Sequence, residues 1–74
     1  MLSEELRKLR QRTLLNQTDF AKAVGVSYST INRWETAKSK PNLAAMRNIK
    51  VFCEQHKLSY ETIEREWLDE SSQK

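Results

Sequence analysis

The sequence predicts an all-α fold, and three observations lead there. Leu, Ala, Glu, Lys, Arg and Gln are abundant, and these residues lose least on entering a helix. One Gly and one Pro in 74 residues supply too few turn formers for an all-β sandwich or barrel. Apolar residues recur at three- and four-residue spacing, the period of a helix with one buried face. A chain of this length, 38% hydrophobic and 31% charged, holds one compact domain, expected over residues 1–70 with a frayed end at 71–74. Cys53 is the lone cysteine, so neither an internal disulfide nor a Cys-based zinc site can staple the core.

Five helices are expected. Leu2, Leu6, Leu9 and Thr13 share a face, and Glu4 and Glu5 sit where a helix dipole favours acids, which places the first helix over about 3–13. Asn16 can cap a second helix running from Gln17 to Val24, with Leu15 and Phe20 at the spacing of a hydrophobic staple. Gly25 takes a positive φ without steric cost, so the chain turns there. Ser27 can cap a third helix that lasts to about Thr36, with Val26 and Ile31 as its staple. After it Lys38-Ser39-Lys40-Pro41-Asn42 reads as a loop, because Pro41 disfavours helix at Lys40. Asn42 can cap a fourth helix with Leu43, Met46, Ile49 and Cys53 on one face, Phe52 at its flank and Val51 pointing away. Ser59 can cap a fifth, with Leu58 and Ile63 as a staple and Tyr60, Ile63, Trp67 and Leu68 as its apolar stripe.

Two short helices joined by a tight Gly turn, over about 17–36, have the geometry of a helix-turn-helix. Ala21 is small where the helices must approach, and Phe20, Val24, Val26, Ile31 and Trp34 point inward. At 100° per residue, Ile31 and Trp34 turn Ser29, Asn32, Arg33 and Thr36 outward and leave Tyr28 at the margin. Arg grips guanine O6 and N7 bidentately, Asn grips adenine N6 and N7, and Tyr or Ser gives single hydrogen bonds to base edges. Tyr28, Ser29, Asn32 and Arg33 are therefore the candidate base contacts, with Arg33 foremost. Each alone is an ordinary surface residue, and their convergence on one short capped helix carries the reading.

Charge supports the same face. From Arg7 to Lys50 ten basic residues stand against Asp19 and Glu35, a balance of +8, whereas residues 58–74 carry five acids against Arg65 and Lys74, a balance of −3. The first block suits a polyanion and the second faces away from one. Phosphate contacts are expected to flank the exposed helix. Gln17 is a candidate at a helix N-terminus, where free N–H groups help, with Ser27 at the next; Lys38 and Lys40 lie in the following loop, and Ser39 and Asn42 are weaker candidates there. Arg10 and Glu35 lie at the edges of apolar stripes, and a partly buried bridge between them would tie the first helix to the third. Arg7, Lys8 and Arg12 read as solubilising charge.

These residues resemble the lambda repressor and Cro-like (Xre-type) helix-turn-helix domains of phage repressors and bacterial regulators. The resemblance covers about residues 4–68. Its most specific parts are Asn16-Gln17-Thr18-Asp19-Phe20-Ala21, Gly25-Val26-Ser27, Ile31-Asn32-Arg33-Trp34-Glu35 and Lys38-Ser39-Lys40-Pro41. It implies a five-helix lambda-repressor-like bundle binding operator DNA as a homodimer. In that reading Gln17 meets the backbone, Tyr28, Ser29, Asn32 and Arg33 enter the major groove on a recognition helix over about 28–36, and Arg10 bridges Glu35. The chain departs from the pattern at Ala37, where many members carry Gly, so a differently closed helix end is expected there. It departs again at its longer, acidic last helix, where Tyr60, Trp67 and Leu68 are candidates for a dimer interface and Trp67 and Leu68 also for the core.

The expected function is therefore that of a sequence-specific double-stranded DNA-binding transcriptional regulator, a repressor on an inverted-repeat operator. The alternative is an antitoxin-like module whose main partner is another protein, bound through the acidic last helix. RNA binding lacks an exposed aromatic platform. No enzyme is expected: His56 and Cys53 have no third ligand, one Gly cannot build a phosphate loop, and no catalytic residue, metal, cofactor or small-molecule substrate is assigned. The acidic start and the longest apolar run, Leu43-Ala44-Ala45-Met46, suggest neither a signal peptide nor a membrane span, and a cytoplasmic location is expected.

Overall fold

The computed structural model describes residues 1–72, with side chains through Glu70. Within it the chain forms five helices: α1 (Leu2–Arg12), α2 (Gln17–Val24), α3 (Tyr28–Glu35), α4 (Leu43–Gln55) and α5 (Glu61–Ser72). There is no strand among the described residues, so the all-α, five-helix expectation holds. Helix α2 packs on α3 and α4, and α1 packs on α3 and α5. One core lies between them, built from Leu2, Leu6, Leu9, Phe20, Val24, Ile31, Trp34, Met46, Ile49, Phe52 and Ile63 among others. Phe20 and Phe52 meet edge to face at 5.3 Å between ring centres, which joins α2 to α4.

The N-terminal caps follow the sequence. Asn16, Ser27 and Asn42 accept the N–H of Asp19, Thr30 and Ala45, at 2.7, 3.1 and 2.8 Å. Each satisfies a donor that would otherwise lack a partner. The fifth helix differs by one residue. Tyr60 gives the first helical carbonyl, to Glu64 N–H, and Ser59 Oγ accepts from Glu61 N–H at 3.3 Å from one place further out. Helix α1 starts at Leu2 rather than Ser3, because Leu2 is buried and its N–H donates to Glu70 Oε2 of α5 at 2.9 Å.

Helices α1 to α4 all close in the same way. After each, one residue takes a positive φ and two N–H groups turn back onto the last carbonyls, the Schellman arrangement. The residues are Leu14, Gly25, Ala37 and Lys57, with φ of 60°, 75°, 61° and 56°. Ala37 therefore keeps the left-handed cap that the sequence was expected to lose: Ala37 N–H bonds Trp34 O at 3.3 Å and Lys38 N–H bonds Arg33 O at 2.9 Å. Those bonds hold an alanine in a conformation that glycine adopts more cheaply.

Two apolar expectations are corrected. Leu43 is 55% exposed and Leu68 52% exposed, so neither joins the core. In α4 the buried residues are Ala45, Met46, Ile49, Phe52 and Cys53, a face centred near Ile49, and Leu43 lies about 120° from it. Phe52 is thus inside the core rather than at its flank, while Val51 is exposed. In α5 Leu68 stands about 140° round from buried Ile63, and Tyr60 and Trp67 pack partly against the core. Helix α5 runs on to Ser72, which costs little because serine is only mildly unfavourable in helices; Gln73 and Lys74, the rest of the segment expected to fray, lie outside the described residues.

Candidate nucleic-acid interface

The exposed face of α3 is set by what its other face buries. Ile31 is fully buried and Trp34 is 3% exposed, so Ser29, Asn32, Arg33 and Thr36 stand in solvent and Tyr28 is half exposed. Thr36 Oγ1 turns back onto Asn32 O at 2.8 Å. That leaves Tyr28, Ser29, Asn32 and Arg33 as a run of donors and acceptors on one side of a helix of eight residues.

The helix is held in place by charge as well as by packing. Glu35, 4% exposed, receives Arg10 Nε on Oε2 at 2.7 Å and Arg10 Nη2 on Oε1 at 3.0 Å. Gln17 Nε2 donates to the same Oε1 at 3.0 Å, and Arg7 Nη2 donates to the Glu35 carbonyl at 2.9 Å. Arg10 Nη1 also donates to Leu15 O at 3.1 Å, so one guanidinium reaches the α1–α2 connection and the end of α3. Burial pushes the Glu35 carboxyl up, but hydrogen bonds from Arg10 and Gln17 and the charges of Arg10 and Arg7 outweigh it and hold the group below its ordinary range. The hydrogen bond that Arg10 donates to Glu35 raises the guanidinium further still.

Several predicted contacts already have intramolecular partners. Gln17, half-buried, lies on the Glu35 carboxylate, so its amide is anchored beside the α2 N-terminus. Ser27 Oγ caps α3 and lies 2.9 Å from Thr30 Oγ1, and Asn42 caps α4. Lys38, Ser39 and Lys40 are exposed in the loop after α3. Ser39 N–H reaches Arg33 O at 3.3 Å, and Lys40 Nζ lies 5.6 Å from the Trp67 ring centre.

Other contributors had gone unassigned. Arg7, expected to be mere surface charge, grips the end of α3; it lies one turn before Arg10 on the same face, a spacing that pointed to it. Asn48 Nδ2 donates to Val24 O at 3.1 Å, tying α4 to the helix-turn-helix turn. A Cβ on Gly25 would stand 3.3 Å from that same amide nitrogen, so the turn is confined by space as well as by φ. Asn48 is exposed beside the buried face of α4, so nothing in the sequence marked it.

Residues 6–50 match the helix-turn-helix family, which is more than half of the chain. The chain belongs to the helix-turn-helix family. It is also 32% identical over 60 residues to an uncharacterized HTH-type transcriptional regulator, YiaG, of Escherichia coli K12, and equally to its counterparts in the O6:H1 and O157:H7 strains. The alignment covers 81% of this chain and 62% of each relative, so the chain spans less than two thirds of the relatives it matches. No solved structure matches the chain. The helix-turn-helix segment α2–α3 falls inside the matched range, as do Arg10, Gln17 and Glu35.

Among the described residues no three His, Cys, Asp or Glu side chains cluster to hold a metal ion. Cys53 is buried, and burial, with the charge of Glu54, pushes its thiol up to about 11, so it is a core residue rather than a nucleophile. No helix is long and apolar enough to cross a membrane among the described residues.

Proposed function

We propose that this protein is a DNA-binding transcriptional regulator that reads double-stranded DNA by laying α3 in the major groove. The observation that carries the reading is the exposed row Tyr28, Ser29, Asn32 and Arg33 on a helix whose opposite face is buried and whose end is fixed by the Glu35 network. Such a row presents the groups that pair with base edges, on a support rigid enough to give them one register.

The loop after α3 supports it further. At the ends of α1, α2 and α4 the residue after the positive-φ position is Leu15, Val26 or Leu58, each packed against the core. After α3 that place is Lys38, exposed and basic. With Lys40 it gives the phosphate contacts on one flank. Gln17, Ser27, Ser39 and Asn42 complete the proposed set, Gln17 and Ser27 through the free N–H groups of the helix starts they occupy.

In the finer form of this reading the protein is a homodimeric repressor on an inverted repeat, acting by occupancy, without enzymatic activity and in the cytoplasm. Two recognition helices then meet major grooves about 34 Å apart. Tyr60, Trp67 and Leu68 are the proposed dimer contacts, and Leu68 is the one whose side chain stands mostly in solvent. A second reading, an antitoxin-like module bound to another protein through α5, is favoured by that same exposed Leu68 beside the exposed acids Glu61 and Glu64.

Selection of bound duplexes from a random pool at two salt concentrations separates them. An enriched inverted repeat with affinity falling steeply in salt supports the operator reading. No enriched site, or salt-insensitive binding, rejects it and turns attention to a protein partner on α5.

A further inference from the structure

The geometry points to Trp67 as a positioning residue for the phosphate-facing loop, acting through Pro41 and Lys40; this rests on the proposed role of Lys40 at a DNA phosphate. The loop between α3 and α4 is fixed at its first end by Lys38 and Ser39 N–H groups on the Arg33 carbonyl, at 2.9 and 3.3 Å. At its other end the Pro41 side chain is fully buried and Asn42 caps α4. Between these anchors stands Lys40, and α5 meets it from outside the loop. Trp67 Nε1–H, from α5, donates to the Pro41 carbonyl at 2.7 Å, one residue after Lys40 in the chain. The same indole ring lies 5.6 Å from Lys40 Nζ, within the range of a cation–π contact.

A partly buried indole N–H takes a hydrogen-bond partner wherever it lies, and here that partner is a loop carbonyl 26 residues away in sequence. Here its N–H fixes the backbone beside the lysine and its ring offers the ammonium a face. A lysine has a long flexible stem and loses rotamer freedom when it meets a phosphate. One already held near its bound direction loses less, and the difference appears as affinity. The acidic α5 helix would thus serve DNA binding without touching DNA.

The test uses the full chain and a mixed-sequence duplex of about 30 base pairs, titrated over a range of salt. Wild type, Lys40→Gln, Trp67→Phe and the double variant are compared, with Trp67→Phe chosen because it keeps an aromatic ring and loses the N–H donor. Lys40→Gln is expected to weaken binding about fivefold at physiological salt and to lower the salt slope by about 0.9, the share of one phosphate contact. Trp67→Phe should weaken binding about twofold at a salt slope close to that of wild type, because Lys40 still meets its phosphate but loses more freedom in doing so, and should add little once Lys40 is gone. Amide hydrogen exchange on the DNA-free protein supplies a readout independent of binding: Trp67→Phe should speed exchange at Lys38 and Ser39, whose N–H groups bond the Arg33 carbonyl, and leave Ile31 and Ile49 unchanged. Losses that multiply in the double variant, an unchanged affinity for Trp67→Phe, or unchanged loop exchange would each overturn the proposal. A wild-type protein that binds no duplex, or binds without salt dependence, rejects the phosphate reading instead, while the exchange data still decide whether Trp67 holds the loop.

Discussion

Glu35 shows how much one side chain can organise in a small domain. Its carboxylate takes three hydrogen bonds, two from Arg10 and one from Gln17, and its own carbonyl takes Arg7. Removing one partner of a buried pair leaves the other charge without compensation, which typically costs about 3–5 kcal/mol. Arg10 is partly exposed, at 17% of its side chain, so Arg10→Leu is expected at the lower end, about 3 kcal/mol by urea unfolding, with DNA affinity falling as the end of α3 loosens. An unchanged melting temperature and affinity would refute the structural role. The pH dependence follows from the lowered carboxyl pKa. The folded value lies below the unfolded one, so Glu35 stabilises the fold above the ordinary carboxylate range and loses that contribution as pH falls through its lowered value. Acid unfolding of Glu35→Gln should show less pH dependence between about pH 5 and pH 2 than wild type. A different residue-scale cost sits at Ala37 and Leu14, which hold φ of 61° and 60° without being glycine. Ala37→Gly and Leu14→Gly should each raise stability by roughly 1 kcal/mol, since Leu14 is 92% exposed and its side chain contributes no packing.

Elements were legible in the sequence where local chemistry decides them. The bounds of α2 are those read from Asn16 and Gly25, since a side-chain cap and a left-handed turn are events within a few residues. The same holds for the caps at Ser27 and Asn42. Legibility ended where a distant segment supplies the deciding group: α1 starts a residue early because Glu70 meets Leu2 N–H, and Trp67 reaches Pro41 across the fold. Faces were read less well than ends. Leu43 and Leu68 each extended an apolar stripe on paper, yet each lies too far round its helix to reach the core. The αL cap at Ala37 was misread for a related reason: residue preference argued against it, but two returning N–H bonds and a buried Trp34 impose it. In the candidate site the exposed face of α3 followed from its two buried residues, whereas the sharing of Glu35 by Gln17 and Arg7 required the fold. For the helix-turn-helix unit itself, Gly25→Ala is the informative change. With φ at 75° and Asn48 Nδ2 3.3 Å from the added Cβ, it should cost about 1–2 kcal/mol in stability and weaken DNA binding beyond that, because α3 is displaced with the turn. Melting and binding measured on the same preparation check both parts.

The molecule as a whole is electrically divided, and the division coincides with the packing. Arg33, Lys38 and Lys40 stand on or just after α3, while α5, which packs on α1, carries Glu61, Glu64, Glu66, Asp69 and Glu70. Two of those acids face inward duties, Glu70 on the α1 N–H of Leu2 and Glu66 3.4 Å from the Met1 amino group, so the acidic helix is held to the body by part of its own charge. Glu61 and Glu64 are exposed and repel a polyanion approaching that side. Under the proposed function this polarity orients the protein before contact and disfavours docking by the wrong face. Charges far from the bound phosphates are screened within a Debye length of about 8 Å at physiological salt, whereas a charge that replaces a counterion at a phosphate acts through the salt slope itself. The two kinds of charge therefore separate in one experiment. Lys38→Gln should reduce the slope of log affinity against log salt by about 0.9. Replacing Glu61 and Glu64 together by Gln should leave the slope unchanged and raise the association rate modestly at low salt, with the gain vanishing at about 0.15 M. A slope that responds to the glutamates as strongly as to Lys38 would place α5 against the phosphates and reverse the orientation argued from α3.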